Sequence, residues 1–451
     1  MFQVPAEGAA AGHLVIRKEH TELKLDSKAQ AIAQEDAIIF GTTGDGHKIT
    51  CIDCVSLGTS TKLAGSATGK PTAFHQRRFF PHYVTIGSDH INVSTNCIRE
   101  IRFSTTDLSS LFEDHHAFGI VTDAKDLIGS ILKDRPQHAD IPVGDWPQVA
   151  YFTGNMIVIE LETALGQVCI RNHPRISMGG AEGASITNKV RLHLKPKFPI
   201  AFEAAVDHIA TLARLLSVLA GRPQAVKGLR LFLSGKREPI DRGLKVYWSH
   251  SPKRGKPRYT RSAPHIADVP LDPIRRKEEF VVSVQRWLNL DEKRHQARLR
   301  HEGCTKKGGR YSYDRIVAAA NMFDLLPKES YPASTEHLRE KILARADVIH
   351  EALREGSLPN LSDAVHAAVS CRNHLVHGPK KSFDYGPIEP HLSFLTDCLE
   401  FIFEASDLID CGWDAHSWHA RHKGAGHRLA SFIWSYDQQI AKLMQIEGIR
   451  R

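Results

Sequence analysis

Residues 361–378 read LSDAVHAAVSCRNHLVHG, and this stretch decides what the carboxyl-terminal part of the chain can be. At about 100° per residue, Leu361, Ala364, Val365, Ala368, Leu375 and Val376 form one apolar stripe of a helix, with Arg372 near its middle. Asn360 can cap the start, with Asp363 three residues on, and Gly378 followed by Pro379 is a stop signal. The last turn therefore gathers Arg372, Asn373, His374 and His377. Asn373 and His377, spaced i to i+4, share a face with His366 and Ser370. Arg372 and His377 are five positions apart, about 140° around an ideal helix. That angle predicts that they grip one phosphate only if the helix unwinds at Gly378 or two copies of it meet.

The sequence around this helix is helical too. EEFVVSVQRWLNLDEKRHQARLRHE (278–302) and DRIVAAANMFDLL (314–326) flank the basic turn GCTKKGGRYSY. A helix capped at Ser334 or Thr335, with Leu338, Ile342, Ile349 and Leu353 inward, runs to a stop at Gly356. HLSFLTDCLEFIFEASDLI (391–409) reads as a core helix and RLASFIWSYDQQIAKLM (428–444) as the last one. Short connections between them predict an up-and-down bundle over 275–451.

Upstream the period changes to two. LVIRKE, AIIFG, KITCIDCVSL, YVTIG, HINVS, IREIRFS, MIVIELET, QVCIRN, KVRLHLKP, GLRLFLSG and GLKVYWS alternate between Gly, Ser, Thr and Asp breaks, as antiparallel strands do. One helical stretch, 199–220, interrupts them. The expected fold class is α+β: a β-rich region over 1–265, divisible into two subdomains around the inserted helix, followed by an all-α bundle.

With 59 Lys and Arg against 51 acids and 26 His, the formal charge is +8, which favours anionic partners. The densest basic run, 236–261, interleaves Tyr247, Trp248 and Tyr259 with cations, a composition suited to RNA backbone and exposed bases or to a solvated linker. Lys253, Arg254, Lys256 and Arg258 in that run, with Lys306 and Lys307 in the later basic turn, are the candidate RNA-binding residues.

The eight cysteines are scattered and read as reduced thiols of a cytoplasmic protein. Cys51-x-x-Cys54 has no second half-motif and lies in a strand pattern, so it reads as structural. His416, His419 and His422 recur at three-residue spacing, but Gly424 and Gly426 interrupt the helix and no carboxylate pattern accompanies them. Neither group is taken as a metal site, and no cofactor is expected. The glycine-rich SMGGAEGAS at 177–185 is neither G-x-G-x-x-G nor a Walker loop and reads as a hairpin connection. No segment has the length and apolarity of an export signal or a membrane span.

Arg372-Asn373-x-x-x-His377 resembles the R-x4-6-H signature of HEPN domains, over about residues 275–445. The layout, β-rich then all-α with RNHLVH at a helix end, resembles the ApeA family of bacterial anti-phage proteins. The resemblance implies a homodimeric, metal-free ribonuclease of abortive infection, triggered by phage and cutting host RNA, with tRNA the expected class. It assigns catalysis to Arg372, Asn373 and His377, and the division of the chain gives the sensing of the phage-derived trigger to 1–265. In such a site His377 serves the proton transfers and Arg372 the developing phosphorane charge, leaving a 2′,3′-cyclic phosphate and a 5′-hydroxyl. Two other readings stay open: Arg372 neutralised by a buried acid such as Asp347 or Asp397, with the histidines capping helix carbonyls, or a HEPN bundle that binds RNA or nucleotide, or assembles, without catalysis.

Overall fold

A computed structural model of the chain describes every residue except 5–7, 18–20, 28–36, 65–71, 136, 138–139, 236–242, 250–263, 354–355, 379–382, 422–423, 425 and 447–451. Alternating apolar residues of the first part make strands that share one large sheet. β1 (Phe2–Val4), β2 (Gly8–Ile16), β3 (Thr21–Ser27), β4 (Ala37–Thr42), β5 (Lys48–Ala64) and β6 (Thr72–Gly87) pair in the order β6-β3-β2-β1-β4-β5. A further β5–β6 pairing closes them into a barrel, which leaves these strands no open edge in the ring. Phe2, Leu23, Leu25, Ile39, Ile49, Phe79 and Val84 fill it. Gly41 is required there: a Cβ on it would lie 2.5 Å from the Phe2 ring.

Cys51 and Cys54 both point into this barrel, although three residues apart on a regular strand would put them on opposite faces. Asp53, at φ 52°, is the reason: a β-bulge there adds one residue and returns Cys54 to the inner side. The HINVS run is not a strand; the Asn92 side chain accepts from the Ser94 amide at 3.2 Å and turns the chain.

β6 continues into an open sheet with β7 (Ile98–Ser104), β10 (Ile157–Thr163), β11 (Gly166–Met178), β12 (Ala184–Lys195), β13 (Lys227–Leu233) and β14 (Leu244–Trp248), ordered β10-β11-β12-β7-β13-β14-β6. A small hairpin of β8 (Phe118–Thr122) and β9 (Gln148–Phe152), not foreseen in the sequence, stacks Phe118 on Phe152. Short helices α1 (Leu108–Leu111) and α2 (Lys125–Lys133) flank it. The inserted helix, α3 (Phe202–Ala220), buries Phe202, Ile209, Leu212, Leu216 and Leu219 in the core that lines one face of the open sheet.

Among the described residues the remaining α-helices lie beyond β14: α4 (Lys277–Lys306), α5 (Tyr313–Asp324), α6 (Leu338–Ala352), α7 (Leu361–His377), α8 (Leu392–Asp410), α9 (Ala415–Ala420) and α10 (Arg428–Leu443). A β-rich amino-terminal region is thus followed by a helical carboxyl-terminal one, the expected class. Two helix ends differ from expectation. α6 is capped at His337 rather than at Ser334 or Thr335, because the Glu340 carboxylate accepts from the Glu336 and His337 amides at 3.0 and 3.1 Å. It ends at Ala352, before Gly356. Sheet, α3 and bundle bury one continuous apolar cluster, with Phe112 set edge-on against Phe280 of α4. No described helix is long and apolar enough to cross a membrane.

Candidate active site

α7 buries Leu361, Ala364, Val365 and Ala368 as its stripe requires, and Ala367, Val369 and Cys371 as well. Burial pushes the Cys371 thiol up to about 12, so it packs as an apolar group. The Tyr436 hydroxyl donates to Pro359 O at 2.8 Å and fixes the start of the helix against α10. Asn360 does not cap with its side chain; it sits in the left-handed region at φ 59°. The last turn leaves the bundle: Leu375 is half-buried, and Val376, expected on the stripe, is exposed along with His377. Gly378 ends the helix at φ 83°, its amide donating to His374 O.

At this end Arg372 and His377 meet. Arg372 Nη1 lies 3.2 Å from His377 Nε2 and donates to Asn373 Oδ1 at 3.1 Å, while Nη2 donates to Asn321 Oδ1 of α5 at 3.3 Å. The two side chains meet without the unwinding at Gly378 that the angle between them suggested. α7 stays helical through His377, and the long guanidinium stem spans the angle that the backbone leaves. A guanidinium has no lone pair to accept with, so in this contact His377 Nε2 is the acceptor. Arg372 Nε is buried with no hydrogen-bond partner among the described residues.

No acid neutralises Arg372 among the described residues. Asp347 is exposed, and both oxygens of Asp397 accept from the Tyr311 hydroxyl at 2.8 Å. Lys306 pairs with Glu302 at 2.7 Å and Lys307 is exposed at the end of α4; no described contact joins either to Arg372. Lys253, Arg254, Lys256 and Arg258 lie outside the described residues, as does His422. His419 Nε2 is 3.3 Å from Ser357 Oγ, and no group of His, Cys, Asp and Glu among the described residues could hold a metal.

Sequence reading missed two features of the site. Asn321 is one; its signal was a lone amide inside the apolar run IVAAANMF. The other is an aromatic shelf beside the cluster: His374 stacks on Tyr385 at 4.7 Å and 7°, and Tyr313, whose hydroxyl donates to Glu389, meets Tyr385 edge-on.

α8 holds the surrounding helices by charge. Its residues Glu400, Glu404, Asp407 and Asp410 recur at helical spacing toward the bundle interior. Glu400 takes a two-pronged pair from Arg315 of α5, Asp407 pairs with Arg294 and Arg298 of α4, and Asp410 pairs with Arg294 and with Arg345 of α6. Glu404 pairs with Arg428 of α10. Arg298 also stacks on Trp287 at 3.8 Å. Asn321 sits on α5, which this ladder ties to α8.

The helical bundle that carries this cluster is of the HEPN class, whose members generally cleave RNA. Residues 318–417 match the family model described as Apea-like HEPN, and residues 2–287 match that of ApeA N-terminal domain 1. The chain belongs to the ApeA family. No curated protein and no solved structure matches it.

Proposed function

We propose that the chain is a metal-independent endoribonuclease of a phage-triggered abortive-infection system. It cuts RNA, with tRNA the expected class, to 2′,3′-cyclic phosphate and 5′-hydroxyl ends. The observation that carries this reading is the 3.2 Å approach of Arg372 Nη1 to His377 Nε2 at an exposed helix end. A lone pair on Nε2 is what a base needs to take the 2′-hydroxyl proton, after which the 2′-oxygen attacks phosphorus and the P–O5′ bond breaks. The guanidinium beside it supports the charge of the phosphorane, and the 5′-oxygen leaves with a proton from an imidazolium. Two clusters facing each other in a homodimer would supply base and acid together. Asn373 and Asn321 hold the guanidinium from two sides, which favours a fixed charge over a swinging one.

The test is cleavage of total tRNA by the full-length protein, with EDTA present, and mapping of the new ends. Cleavage that persists in EDTA, yields 5′-hydroxyl ends and is lost in His377→Ala and Arg372→Ala is the expected result. Cleavage retained by both variants would remove these residues from the chemistry. RNA capture with no cleavage by the wild type in phage-challenged cells would favour a non-catalytic binding module.

A further inference from the structure

We propose that the β11–β12 arm is a second RNA-binding surface, a basic ribbon that docks the phosphate backbone of a folded RNA whose scissile strand lies at α7; this rests on the ribonuclease reading above. Pairing between the two strands runs without a break from Gln167↔Lys195 to Met178↔Ala184. The neighbours stop earlier: β10 pairs as far as Arg171, and β7 pairs with β12 only at Leu192–Leu194. The outer half of the arm therefore runs past the sheet. Pro174, opposite Asn188, lies in that outer half, where β11 has no β10 partner to receive an amide.

The strand period sorts the side chains. Arg171, His173, Arg175, Lys189 and Arg191 fall on one face, while Ile176, Met178, Ala184 and Ile186 fall on the other. Between residues 167 and 197 the only acid is Glu182, in the turn. Register sets Arg171 directly against Arg191, and His173 against Lys189. The same face continues across the sheet as Arg102↔Arg230 and Arg230↔Lys245, one cation opposite the next, while His193, whose burial favours the neutral imidazole, lies opposite Arg102. Like charges set opposite each other weaken a sheet. Inward of the arm the face also carries carboxylates: Glu100, held by Arg102 at 2.8 Å and by His193 at 3.0 Å, and Glu160, which register sets in line with Cys169 and His193.

A fold that stacks cations this way gains from a polyanion laid across them. Arg175 and Lys189 are exposed, and Arg171 Nε is buried with no hydrogen-bond partner among the described residues. Rows about 4.8 Å apart on a ribbon offer repeated contacts to a phosphate chain and no base readout. The ligand class is thus the backbone of structured RNA, bound without sequence preference.

The experiment uses full-length protein carrying His377→Ala and a fluorescent 2′-O-methyl RNA hairpin, with anisotropy titrations at several salt concentrations. Changing Arg171, Arg175, Lys189 and Arg191 to Gln should weaken binding at least about tenfold near 0.1 M salt and flatten the log K against log salt slope by about 3. The double variant Arg175→Gln/Lys189→Gln touches only exposed residues and guards against misfolding; it should show about half the slope change. Unchanged affinity and slope in that double variant overturn the proposal. Weakening by Ile176→Ser/Met178→Ser with none from the charge variants also overturns it, because the arm would then dock through its apolar face. Cleavage separates this from the reading it rests on. With His377 intact, the arm variants should cut a short single-stranded oligonucleotide as fast as wild type while losing rate on tRNA. A wild type that cuts nothing, with the binding loss intact, removes the ribonuclease reading and leaves the arm as an RNA surface.

Discussion

Arg372 is held by three partners through two nitrogens, so its fork matters as much as its charge. Arg372→Lys keeps the cation but cannot reach Asn321, Asn373 and His377 together, and RNA cleavage should fall by about 100-fold with the fold intact. Asn321→Ala tests positioning: kcat should drop by about tenfold or more with KM little changed, since the guanidinium loses its anchor on α5 and no substrate contact is removed. A fall in KM-governed binding alone would mean that Asn321 touches RNA. The cluster itself was legible, because R-N-x-x-x-H before Gly-Pro is a short pattern on one helix. Asn321 was not, since its partner lies 51 positions away and nothing in one sequence says which helices pack together. The 140° between Arg372 and His377 misled for a different reason: it measures where side chains leave the backbone and ignores how far an arginine reaches.

The element that carries the bundle is α8. Its apolar residues were legible as a core helix, but Glu400, Glu404, Asp407 and Asp410 also turn inward, and their arginines are spread over α4, α5, α6 and α10. Hydrophobic periodicity counts such residues as surface, so the ladder was hidden until the helices were brought together. Asp407, buried between Arg294 and Arg298, should be costly to remove: Asp407→Ala takes a carboxylate from two buried guanidinium groups, leaving Arg294 to Asp410 and Arg298 to Asp291, and is expected to destabilise by about 3 kcal/mol in denaturant melts. Asp397 behaves in the opposite sense. Burial, and then the Glu400 carboxylate one turn on, push its carboxyl up to about 6 against the Tyr311 hydrogen bond. In the unfolded chain it ionises near 3.9. Between those values the unfolded state binds fewer protons, so this group's contribution is present at low pH and is lost as pH rises from about 4 to about 6. Stability measured across that window should decline less in Asp397→Asn than in the wild type; equal pH slopes would show that Asp397 does not titrate there.

At the scale of the molecule, the sequence divides where strand patterns give way to helices, near 265–275, yet the buried contacts run across that point. Arg214 of α3, 2% exposed, lies between Asp291 and Glu302 of α4. Gly221, at φ 64°, brings α3 against His427, whose Nε2 lies 3.0 Å from Val218 O. A Cβ on Gly221 would sit 2.6 Å from the His427 ring, and its left-handed backbone strains any other residue. The change of period was visible along the chain, but a core shared across it depends on side-chain packing between α3 and α4 that no local pattern encodes. If α3 and the bundle are one cooperative unit, heating the full-length protein should give one calorimetric transition whose van't Hoff and calorimetric enthalpies agree. Gly221→Ala should lower that single transition as a whole. Two transitions, with Gly221→Ala moving only one, would mean that the β-rich region and the bundle melt independently. A signal received by the amino-terminal region would then need a route to α7 other than the packed α3–α4 junction.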